Sequence, residues 1–171
     1  MDTDFLLIQR MRMGDEKAID VFVGKYYPQI LKYCRIHIGD DGYAQDMTQE
    51  TFVRFFGALG EYRHYGRAAN FLYVIAANVC RDFYRKNREI PLEDLSEEAD
   101  PQAEGMDLQI ELRQAFASLP EELRQTAVLY FMQERKQKDI ARILGISLSL
   151  TKYRIGRARE LLAAYLGEES V

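Results

Sequence analysis

Leu148, Thr151, Ile155, Ala158 and Leu162 recur at intervals of 3, 4, 3 and 4 residues, the pattern that most tightly constrains how this chain can fold. At about 100° per residue these five share one face of a helix, while Ser149, Tyr153, Gly156 and Glu160 lie opposite. Ser147 stands where it can cap that helix. Just upstream, Ile140, Ala141, Ile143 and Leu144 form the apolar stripe of a shorter helix, and Gly145 supplies the positive-φ corner that ends it. Two helices joined through a glycine turn make a helix-turn-helix, whose second helix enters the major groove of DNA. An ordinary amphipathic hairpin with a solvated basic face has the same spacing, so charge has to discriminate. Between residues 135 and 159 stand eight cations (Arg135, Lys136, Lys138, Arg142, Lys152, Arg154, Arg157 and Arg159) against one acid, Asp139. In a chain of formal net charge −4 such a cluster reads as a phosphate footprint, and it points to duplex DNA.

The acids lie elsewhere. Residues 89–111 hold nine Asp or Glu and no Lys or Arg, and without them the remainder carries 23 basic against 18 acidic residues. Pro91, Pro101 and Gly105 break periodicity there, which predicts a flexible acidic linker over residues 88–107. Helical patterning on both sides, with no strand pattern, predicts an all-α chain of two small helical domains, residues 1–87 and 108–171.

Upstream, residues 3–13 form a short helix stopped by Gly14, and Asp15 caps a longer one carrying Ala18, Val21, Phe22 and Tyr26. Pro28 is expected to kink or restart it before Ile30, Leu31, Tyr33 and Ile36 carry it to Gly39. A third helix over residues 43–59 turns Thr48, Thr51, Phe52, Phe55 and Leu59 inward and Asp46, Gln49, Glu50, Val53 and Gly57 outward. That outward face fits a basic partner helix, and it equally fits solvent. The loop of residues 60–69 mixes Tyr62 and Tyr65 with Arg63, His64 and Arg67. The fourth helix that follows buries Leu72, Ile75, Ala76, Val79 and Phe83 and presents Asn70, Val74, Asn78, Arg81 and Arg85. Aromatics among cations suit single-stranded nucleic acid, whose bases stack while its phosphates pair. The alternative is that the tyrosines cover the core. Further on, Ser118-Leu119-Pro120-Glu121 matches a capping box.

Several function classes find no support. No apolar run approaches the roughly 18 residues of a membrane span, and Asp2 and Asp4 stand where a signal peptide would be basic. Cys34 and Cys80 lack metal or redox spacing and read as buried thiols suited to a reducing cytoplasm. His37 and Cys34 lack further ligands, and there is neither a phosphate-binding glycine loop nor a nucleophile–base set. No cofactor, metal or catalytic residue is expected.

In this order the parts resemble the sigma factors of bacterial RNA polymerase, in particular the small extracytoplasmic-function (ECF) subclass. DMTQETFVRFFGAL (residues 46–59) is similar to the family's polymerase-binding helix. NFLYVIAANVCRDFYRK (residues 70–86) is similar to the helix that melts and reads the minus-10 promoter element. LPEELRQTAVLYF, followed by the helix-turn-helix, is similar to domain 4, which reads the minus-35 element. The resemblance implies that Asp46, Gln49, Glu50 and Val53 meet the polymerase clamp. It implies that Tyr62, Arg63, His64, Tyr65, Arg67, Asn70, Phe71, Asn78, Arg81 and Arg85 hold the non-template strand. It implies that Ser149, Lys152, Tyr153, Arg154, Gly156 and Arg157 meet the minus-35 duplex. Core RNA polymerase, promoter DNA and an anti-sigma factor are the implied partners, in the cytoplasm and without membrane insertion. The chain departs from the family at Phe71 (usually Trp), Glu134 (usually Gly), Gln137 (usually aromatic), Leu150 (commonly Thr) and Tyr153 (commonly Ser). A conventional helix-turn-helix regulator, which needs a dimer interface and no polymerase contact, is the alternative function.

Overall fold

The computed structural model describes residues 3–64, 68–86 and 106–167, and the acidic stretch expected to act as a linker lies almost wholly outside them. Among the described residues the regular structure is helical: α1 (Thr3–Arg12), α2 (Glu16–Ile38), α3 (Asp41–Gly57), α4 (Ala68–Lys86), α5 (Met106–Ala117), α6 (Glu121–Ala127), α7 (Gln137–Leu144) and α8 (Leu148–Tyr165). A π-helical turn, Val128–Met132, continues α6.

Local chemistry sets the helix ends. The Asp15 carboxylate accepts from the N–H groups of Lys17 and Ala18 at 3.0 and 3.3 Å, starting α2. Gly39 ends it at φ 78°. Asp40 caps α3 by accepting from the Tyr43 N–H at 2.9 Å, so α3 begins two residues earlier than the expected start at residue 43. Pro28 does not restart α2, which runs unbroken for 23 residues. Phe22, Tyr26, Ile30 and Tyr33 are buried on both sides of the proline, and their packing outweighs a defect worth about 3 kcal/mol. The capping box at Ser118 does not form. The Ser118 hydroxyl donates to the carbonyl of Ala115 at 2.6 Å, and Pro120, with no side-chain bond, occupies the N-cap of α6.

The four N-terminal helices close around Phe22, Phe55, Leu72 and Tyr73, with the rings of Phe22 and Phe55 stacked at 4.8 Å. The inward set expected for α3 is buried, as is the set expected for α4. Tyr73, Ala77 and Cys80 of α4 are buried as well, because the C-terminal helices pack on that second face. One continuous core joins both halves, from Ile8 and Phe22 to Leu129, Ile140 and Ala158. Tyr73 donates to Gln133 Oε1 at 2.6 Å, and Arg124 donates to Tyr84 Oη at 2.9 Å. The Arg135 guanidinium lies 5.2 Å from the Tyr73 ring centroid and bonds the Gln29 side chain at 3.4 Å. No described helix is long and apolar enough to cross a membrane.

Candidate nucleic-acid interface

The helix-turn-helix is built as its spacing predicts. Gly145 takes the left-handed conformation (φ 66°, ψ 36°), and Ser147 Oγ accepts from the Leu150 N–H at 3.0 Å to start α8. Thr151, Ile155 and Ala158 are buried, while Ser149, Lys152, Tyr153 and Arg157 are exposed and Gly156 is half-buried. The basic cluster divides by partner. Lys136, Lys138, Arg142 and Lys152 face solvent. Arg154 keeps only 16% of its side chain exposed and lies 3.5 Å from Glu122, and Arg157 pairs with Glu160 at 3.0 Å. Arg159 stands 5.6 Å from the Phe131 ring centroid, and Arg135 is drawn into the contact between the two halves. The phosphate footprint in this arrangement is therefore smaller than eight cations.

Ahead of the helix-turn-helix, Glu134 has φ 52°, the only non-glycine residue with positive φ among those described. This is the position where the sigma family usually has glycine. The left-handed corner is kept and the residue suited to it is not.

The second surface lies around α4 and the loop before it. Tyr62 and Phe71 stack on each other at 4.8 Å with planes 25° apart, and both rings lie 5.8 Å from Phe55. Tyr62 Oη and His64 Nδ1 are 3.0 Å apart. Tyr62 and Phe71 are thus half-buried and already stacked, as the core-covering alternative requires. Arg63, Asn78 and Arg85 are exposed. Arg81 donates to Asn78 Oδ1 at 3.3 Å and to Gln125 Oε1 of the C-terminal half at 3.5 Å. Asn70 is half-buried, with an Oδ1 that has no hydrogen-bond partner. Tyr65 and Arg67 lie outside the described residues. The loop is braced from α1, whose Arg12 guanidinium donates to the Leu59 carbonyl at 3.0 Å and to that of Tyr62. Its sequence signal, a lone Arg beside an apolar helix, is too weak to have revealed this.

The third surface is the outer face of α3. Asp46, Gln49 and Val53 are exposed, Val53 at 64%, over the buried Thr48, Thr51, Phe52 and Phe55. Glu50 is half-buried and accepts from Arg54 at 2.9 Å, an interaction that raises the guanidinium pKa further. No group of three or more His, Cys, Asp or Glu able to hold a metal ion occurs among the described residues.

A face suited to protein docking, an aromatic and amide surface, and a helix-turn-helix on one chain define a DNA-binding transcription factor. Comparison with known proteins specifies it. The models for Sigma-70 region 2 and Sigma-70, region 4 match residues 22–90 and 109–162. The ECF RNA polymerase sigma factor SigM of Mycobacterium tuberculosis is 30% identical over 157 residues, which span 90% of this chain and 80% of that protein. The RNA polymerase sigma-H factor of Pseudomonas aeruginosa is 28% identical over 178 residues, 94% of this chain and 92% of that one. The solved structure of CnrH in complex with the cytosolic domain of CnrY superposes with a TM-score of 0.78 at 26% identity, covering 99% of this chain and 100% of that one. The chain belongs to the ECF sigma factors, and it is an alternative sigma factor that directs transcription initiation.

Proposed function

We propose that three separate surfaces divide the work of this sigma factor. The outer face of α3 (Asp46, Gln49, Glu50 and Val53) docks on core RNA polymerase. The surface formed by Tyr62, Arg63, His64, Tyr65, Arg67, Asn70, Phe71, Asn78, Arg81 and Arg85 engages the non-template strand of the minus-10 element. The outer face of α8, from Ser149 to Arg157, engages the minus-35 duplex. Residues 1–87 and 108–171 are the working units, and residues 88–107 are the linker between them.

One observation carries the reading: Val53 is exposed on α3 between acidic and amide side chains, directly over a fully formed core. An exposed aliphatic residue is ordinary by itself, but set among Asp46, Gln49 and Glu50 it matches a basic partner helix with an apolar stripe. The protein works by binding and carries no catalytic residue of its own. Its place is the cytoplasm, where polymerase and DNA are found. An anti-sigma factor is the further partner, and the likeness to CnrH, solved in complex with the cytosolic domain of CnrY, supports a cytosolic protein domain in that place.

Co-elution with core polymerase tests the docking assignment. Asp46→Lys with Glu50→Lys reverses the charge of the face, and like-charge juxtaposition at an interface costs several kcal/mol. The double variant should melt within a few degrees of the normal temperature, since Asp46 is exposed and the Glu50–Arg54 pair that it breaks is a helix-surface pair worth about 0.3–0.5 kcal/mol. It should fail to co-elute. Phe52→Ala is the contrast, costing about 3–5 kcal/mol through a cavity and disabling every activity together. Normal co-elution of the lysine variant would refute the assignment.

A further inference from the structure

Two large apolar side chains on α8 reach solvent outside the core. Leu150 is 36% exposed and Tyr153 66%, and neither joins the core or its partly buried margin. They occupy the first two turns of the helix, the part of a recognition helix that reaches base edges. Lys152 is exposed on the same two turns, and Arg142 and Lys138 are exposed on the preceding helix, so exposed apolar groups and exposed cations share this half of the molecule. An apolar protein partner would bury the two side chains but leave those cations without partners. A polyanion bearing methyl groups satisfies both features, and the major groove presents one, because thymine alone carries a C5-methyl there.

Resting on the reading of α8 as a duplex-binding helix, we infer that Leu150 and Tyr153 read the C5-methyl groups of two thymines in the minus-35 element. The cations supply affinity without much sequence preference, since phosphate contacts position and base contacts specify. Arg154 and Arg157 are each held by a carboxylate, which leaves Lys152 and the apolar pair as the groups available to discriminate. Leu150 and Tyr153 are three residues apart, a rise of about 4.5 Å along the helix. At about 3.4 Å per base pair the two thymines lie one to two steps apart.

Holoenzyme assembled from core polymerase and the full chain should select duplexes from a library randomised over the minus-35 element, and the recovered element should contain two such thymines. Each is then replaced by deoxyuridine, which removes the methyl and keeps every hydrogen-bonding group. Loss of one methyl should weaken binding about three- to fivefold, because a methyl-sized group removed from water is worth about 0.8 kcal/mol and about 1.4 kcal/mol is tenfold. Leu150→Ser should become insensitive to one replacement and Tyr153→Ser to the other, both variants melting as the parent does. An element without fixed thymines, a parent chain indifferent to deoxyuridine, or variants as sensitive as the parent would overturn the inference and leave DNA binding by α8 standing. Failure to select any minus-35 sequence would overturn both.

Discussion

Tyr73 and Gln133, sixty positions apart, are joined by a hydrogen bond of 2.6 Å that ties α4 to the turn before the helix-turn-helix. Arg135 lies over the same ring and reaches Gln29, so one small polar cluster fastens the two halves. Burial first, and against the opposing pull of Arg135, pushes the Tyr73 hydroxyl up to about 12, which keeps it a donor at any ordinary pH. Elements named for positions ten and thirty-five lie about 25 base pairs apart, about 85 Å at 3.4 Å per base pair. A compact chain of this length has a radius of gyration of only about 16 Å. On the division of surfaces proposed above, simultaneous engagement of both elements requires this cluster to open.

The double variant Gln133→Ala, Arg135→Ala removes a hydrogen bond worth about 0.5–1.5 kcal/mol and a cation–π contact worth about 0.5–1 kcal/mol. The expected result is a larger radius of gyration in small-angle X-ray scattering, with helical content unchanged. An unchanged radius would mean that the apolar contacts between α4 and α7 hold the halves together without the polar cluster.

Glu134 sits at φ 52°, where a side chain costs about 1–2 kcal/mol relative to glycine. Glycine surrenders part of that gain through the entropy of the unfolded chain. Glu134→Gly should raise stability by about 0.5–1 kcal/mol in urea denaturation at pH 7. A loss of stability would show that the Glu134 side chain makes a compensating contact.

His37 is buried with its ring 4.3 Å from that of Tyr33 and no partner for Nε2. Burial, reinforced by the Arg124 guanidinium, lowers its pKa to about 3. Between about pH 3 and 6.5 the unfolded chain binds a proton there that the folded chain refuses, so folding stability is complete above about pH 6.5 and falls as pH drops. The slope is about 1.4 kcal/mol per pH unit. Denaturation midpoints between about pH 5 and 6, above most carboxylate titration, should approach this slope in the parent and show a much flatter one in His37→Phe. Equal slopes would move the effect to other groups.

What was legible in the sequence follows the range of the interactions involved. The inward faces of α3 and α8 and the caps at Asp15 and Ser147 depend on residues within a few positions, and spacing reveals them. Tyr73 and Ala77 give α4 a second buried face, but one amphipathic stripe has no room for it until a distant segment packs there, whereas Cys80 is buried as its thiol suggested. For the same reason the cations Arg124 and Arg135 were not separable from surface charge. Ser118 matched a cap pattern, yet the carbonyl of Ala115 won its hydroxyl. The stack of Phe71 on Tyr62 joins a loop residue to a helix residue, and spacing along either segment carries no sign of it.

One chain of this design should give polymerase two-element promoter specificity. Run-off transcription by core polymerase supplemented with this protein, on a library randomised upstream of the start site, measures that directly. Transcripts should be enriched for two separate blocks of sequence, the upstream block lost when Lys152, Leu150 and Tyr153 are replaced by serine. Transcripts showing a single block, or none above core polymerase alone, would contradict it.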